Sequence, residues 1–101
     1  KRISMLLINK SYTPGDVVSL KLINGDEIIA RLEEETTEEI KLTKPLAITI
    51  GPQGLGMMPW MFLGDNDTIN LKRSHVFTIM VSKKDAAKQY LEGTTGISLA
   101  M

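Results

Sequence analysis

Two alternating apolar runs flank Asn24-Gly25, and this dipeptide constrains the chain more than any other feature. A two-residue type I′ turn needs positive φ at both central positions, which Asn and Gly tolerate, so the flanking runs are expected to return on each other as an antiparallel hairpin. On the outgoing strand Val18, Leu20 and Leu22 alternate with Val17, Ser19, Lys21 and Ile23. On the return strand Ile28, Ala30 and Leu32 face one way, Arg31 and Glu33 the other.

The acidic run "EEETTEE" follows, and then Ile40, Leu42, Leu46, Ile48 and Ile50 resume the apolar alternation. Pro45 cannot donate to a ladder, so it predicts an edge, a bulge or a sharp bend within this third strand. "GPQGLG" at 51–56 reads as a flexible loop, followed by "MMPWMFL" and the turn "GDND". Residues 68–81 carry two apolar patches, Ile69/Leu71 and Val76/Phe77/Ile79/Val81, separated by the polar "KRSH". That pattern predicts two strands meeting at a short corner, or one kinked strand. Ser82 to Asp85 resembles a capping box with Asp in place of Glu, opening a helix over about residues 83–92 that Gly93 ends. Residues 3–10 fit a short helix or a strand equally, because the run is apolar on all sides.

A chain of 101 residues predicts one domain spanning 1–101, with a sheet core over about residues 16–81. Its 12 Lys+Arg balance 12 Asp+Glu, which weighs against a free-standing polyanion binder that relies on bulk charge. With no cysteine there is neither a disulfide framework nor a thiolate metal site. The apolar run at 3–8 is too short to span a bilayer and has no cleavage pattern after it. A soluble, cytoplasmic protein without membrane association is therefore expected.

Candidate chemistry is sparse. His75 is the single histidine, and its neighbour Ser74 points the other way on a strand, so no nucleophile–base pair forms. "DNDTIN" at 65–70 starts like a calcium loop but carries Ile69 at the fifth position and lacks the required Gly. "GPQGLG" has no Lys-Ser/Thr after it and no helix opening from it, unlike a phosphate cradle. The glutamates of "EEETTEE" sit at a hairpin tip, where carboxylates remain solvated and ionised. No enzyme activity, no cofactor and no metal are expected.

Taken together, the "LINGDEIIARL" hairpin and the late "LKRSHVFTIMV" segment resemble the Sm and Sm-like (LSm) proteins. Leu20 to Leu42 follows the outline of that family's first motif, with Ala30-Arg31-Leu32 in the place of Gly-x-Leu. Ile69 to Met80 follows the second, with Lys72-Arg73-Ser74-His75 at its basic corner, similar also to the Lys-His corner of the bacterial Sm-like RNA chaperone. Small divergent members of this kind occur in phage as well as cellular genomes.

The resemblance implies a mainly β domain, a small and strongly bent five-stranded antiparallel sheet closed as an Sm-like (SH3-like) barrel, with a short C-terminal helix added. It implies homo-oligomeric rings of about five to seven protomers, which would cover both sheet edges. Ring contacts would come from Val76, Phe77 and Ile79, with Trp60 and Phe62 as core or ring-interface residues. RNA would meet the basic corner at Lys72, Arg73 and His75, beside a pore loop at Thr36, Thr37, Glu38 and Glu39. The family's Asp and Asn are replaced there by Thr and Glu. An ionised glutamate cannot donate to a base and repels phosphate, and the loop offers no aromatic for stacking. The resemblance thus carries two expectations: a ring that binds RNA or works within a ribonucleoprotein, and a ring that serves as a structural or assembly adaptor for protein.

Overall fold

The computed structural model describes residues 12–61 and 63–94. The apolar run at 3–8, Phe62 and the tail from 95 onward lie outside them. Six strands form one antiparallel sheet: β1 (Val17–Leu22), β2 (Glu27–Glu35), β3 (Glu39–Gly51), β4 (Gly54–Pro59), β5 (Thr68–Lys72) and β6 (Val76–Val81). A 3-10 turn, Arg73–His75, joins β5 to β6, and helix α1 (Lys84–Thr94) follows. The strand order is β4-β3-β2-β1-β6, with β5 also paired to β3. The described residues hold six strands, one more than the five expected. β4 and β5 pair end to end along β3. The sheet is not closed, since β5 and β6 are linked through the 3-10 turn and not by a ladder.

The alternation in the hairpin places Val18, Leu20, Leu22, Ile28, Ala30 and Leu32 on one face, where Ile40 and Leu42 join them in the buried core. Trp60, Ile69, Leu71, Val76 and Ile79 pack around its rim. The turn itself differs from the type I′ form. Gly25 donates its N–H to Leu22 O at 2.9 Å and has φ 97°, while Asn24 stays at negative φ. This is a three-residue connection whose left-handed position falls on glycine, and Asn24 Oδ1 accepts the Asp26 N–H at 3.0 Å.

Pro45 marks a bend, and the bend redirects the whole strand. Residues 39–43 of β3 pair with β5, whereas residues 46–51 pair with β4. Lys44, immediately before the proline, sits at φ 52°, a costly conformation for a residue with a Cβ. Opposite it, the β2–β3 register shifts between Ile29 and Arg31. Helix α1 holds this irregularity in place. The Tyr90 hydroxyl accepts the Arg31 N–H (3.1 Å) and donates toward Thr43 O (2.8 Å) and Lys44 O (2.9 Å). These are backbone groups that the disrupted ladder would otherwise leave unsatisfied inside the protein. Burial, opposed in part by the Arg31 backbone N–H, pushes the Tyr90 phenol up to about 12. Lys44 also donates from Nζ to Thr94 O at the helix end, 2.9 Å away.

Three local expectations are corrected. "GPQGLG" is a tight hairpin, with β3 running to Gly51 and β4 starting at Gly54, whose φ is 114°. The Ser82 hydroxyl bonds Ser19 Oγ on β1 at 2.8 Å, tying the chain to the sheet before the helix begins. Gly93 does not stop the helix, which continues to Thr94, whose hydroxyl donates to Tyr90 O at 2.8 Å. Among the described residues no helix is long and apolar enough to cross a membrane.

Candidate functional site

The acidic turn after β2 and the basic corner after β5 meet because β3 pairs with both of their strands. Glu39 stands opposite Lys72 in the β3–β5 ladder, and the Arg73 N–H donates to Glu38 O at 2.9 Å. Thr36 shapes the turn. Its N–H donates to Glu39 O at 2.8 Å, and its Oγ1 accepts from the N–H groups of Glu38 (3.3 Å) and Glu39 (3.0 Å). A threonine hydroxyl imitating a backbone acceptor explains why "TT" can reverse the chain here without a glycine.

Thr37, Glu38, Glu39, Lys72, Arg73 and Ser74 line a shallow depression of about 310 Å³. Of the three corner residues expected to meet RNA, Lys72 and Arg73 are therefore beside the loop residues 37–39. His75 does not line the depression. Its carbonyl accepts the Ile23 N–H at 3.0 Å, so the corner is fastened to the first hairpin as well as to the acidic turn. Its side chain is exposed.

The residue that sequence reasoning passed over is Glu35. It ends β2 opposite Ile40, and its side chain is 8% exposed. One carboxylate oxygen, Oε2, accepts a charge-assisted hydrogen bond from Arg73 Nη1 and another from the Tyr12 hydroxyl at 3.0 Å. Arg73 itself remains 41% exposed on its outer side. In the sequence Glu35 is indistinguishable from its neighbours in an acidic run. Strand alternation does not separate it either, because without a bulge it falls on the same face as Glu33. The register shift between Leu32 and Glu34 alters that parity.

The expected ring-contact residues divide into two groups. Val76, Ile79 and Trp60 pack at the rim of the protein's own core, with Trp60 Nε1 donating to Asp26 Oδ2 at 3.2 Å. Phe77 is 77% exposed, and Met80 and Val81 on the same strand are exposed too. β6 pairs with β1 along one edge, and among the described strands its other edge has no partner. Among the described strands β4 likewise pairs only with β3, and Gln89 Nε2 of α1 donates to its Leu55 O at 3.3 Å. Among the described residues no group of three or more His, Asp or Glu side chains is arranged to hold a metal ion. Compared with the models of known protein families and with curated proteins, the sequence finds no match.

Proposed function

We propose that the protein is an Sm-like module that assembles into a homo-oligomeric ring and acts on RNA or within a ribonucleoprotein. The observation that carries this reading is the strand order, which sets a basic corner against the loop between β2 and β3 and, among the described residues, leaves β4 and β6 without an outer strand partner. An exposed apolar edge strand such as β6 needs a cover, and pairing with β4 of a neighbour would supply one while burying Phe77. Within the ring Lys72 is the best-placed cation for phosphate, with Arg73 behind it and His75 to the side. Binding of this kind is weak and falls with salt.

One observation favours a second reading, a ring that binds protein as an assembly adaptor. Arg73 is held by Glu35 from outside the depression, and Glu38 and Glu39 stand beside Lys72, so three carboxylates surround the two cations of the corner. Native mass spectrometry of the protein purified without nuclease tests both. A mass of about five to seven protomers supports the ring, and additional nuclease-sensitive mass supports RNA. A clean ring favours the adaptor, and a monomer overturns the Sm-like reading. The Lys72→Ala/Arg73→Ala variant should lose most RNA affinity, and unchanged affinity would exclude the corner.

A further inference from the structure

We propose that Glu35 is a built-in competitor for the corner arginine, withholding Arg73 from phosphate and setting the affinity of the corner for polyanions. The inference rests on the RNA-binding reading and adds to it the element that regulates the site.

The geometry is asymmetric. Glu35 is a nearly buried carboxylate at a strand end, and the Tyr12 hydroxyl holds the same oxygen that receives Arg73. It therefore cannot swing away to follow the guanidinium. Arg73 has a longer and more exposed side chain that opens onto the depression shared with Lys72. A guanidinium has donors to spare after one carboxylate contact, so the site is sterically accessible. What it lacks is net charge. Glu35 neutralises Arg73, and Glu38 and Glu39 more than offset Lys72. An incoming phosphate must either displace Glu35 from Arg73 or bind at a neutral ion pair, and in both cases the arginine's counterion release is lost.

The test is the binding of a short fluorescent oligouridylate, measured by anisotropy across a salt series. Wild type is compared with Glu35→Gln, which keeps an acceptor oxygen for Tyr12, and with Glu35→Gln/Arg73→Gln. Glu35→Gln should bind roughly tenfold tighter, as expected when one charge-assisted hydrogen bond to phosphate is added. Its log K against log salt should be steeper by about 0.7 for each arginine recruited. A purely structural role for Glu35 would weaken binding and leave the slope unchanged.

The double variant should return to wild-type affinity and slope. It leaves neither charge buried without a partner, so it remains informative if the single variant fails to fold. A tenfold loss in the double variant would mean that Arg73 already contacts RNA in the wild type, which overturns the proposal. Equal affinity and slope for wild type and a folded Glu35→Gln would overturn it as well. If no variant binds the oligonucleotide, the RNA-binding reading falls and takes this proposal with it. That outcome is distinct from wild-type binding that Glu35→Gln leaves unaltered.

Discussion

The kink in β3 and the corner after β5 are each fastened by side chains reaching across the sheet, but the fastenings are chemically opposite. At the kink, Tyr90 is 1% exposed and neutral, and its hydroxyl serves three backbone groups. At the corner, Glu35 and Arg73 are both charged, and the arginine is open to solvent. A buried neutral tie to backbone has no alternative partner, so removing it leaves donors and acceptors stranded. A charged tie with one exposed end is screened by water and salt and contributes little to stability. The kink therefore belongs to the architecture, and the corner is where the molecule can respond.

Tyr90→Ala should give the largest effect, a loss of roughly 3–5 kcal/mol in urea denaturation from the cavity and the stranded backbone groups together. Tyr90→Phe, which removes the hydroxyl alone, should cost about 1–3 kcal/mol. A cost below about 0.5 kcal/mol for the Phe variant would mean that the helix is not what holds the kink.

Alkaline pH should separate the two regions next. The Tyr90 pKa is raised from 10.0 to about 12 in the folded protein, so the neutral phenol favours the fold. Its contribution is fully present below pH 10, where folded and unfolded phenols are both protonated. It is lost as pH rises from about 10 through about 12, because the unfolded chain releases the proton first. The loss should approach roughly 3 kcal/mol. Tyr90→Phe should lack this component, and parallel pH profiles for the two proteins would contradict the assignment.

The smallest effect is expected at the corner. Glu35→Gln/Arg73→Gln should change stability by under about 1 kcal/mol, with the difference from wild type shrinking as salt is raised. A larger, salt-independent loss would make the ion pair an architectural element like Tyr90 and erase the contrast.

The parts of the fold legible in the sequence are those set by short-range chemistry. Alternation around Asn24-Gly25 marked β1 and β2 with their core face, Pro45 marked the bend in β3, and "KRSH" marked a corner between two strands. Gly51 to Gly56 misled because glycine content signals a reversal but not its length, and the cross-strand pairing of Ile50 with Leu55 made it a tight hairpin. Of the candidate site, the structure places Lys72 and Arg73 beside residues 37–39. The role of Glu35 was not legible in the sequence, because a register shift in β2 decides which glutamate of the run turns toward Arg73.

By itself the sequence determined the first hairpin, the bend at Pro45 and the corner before β6, since turn propensity and side-chain periodicity act over a few residues. The tertiary structure alone decided that β3 exchanges β5 for β4 at Lys44, that Tyr90 satisfies the backbone this exchange exposes, and that Arg73 meets the Glu35 carboxylate. Each of these joins groups far apart along the chain, by hydrogen bonds whose worth depends on burial, and burial exists only once the sheet has folded back on itself.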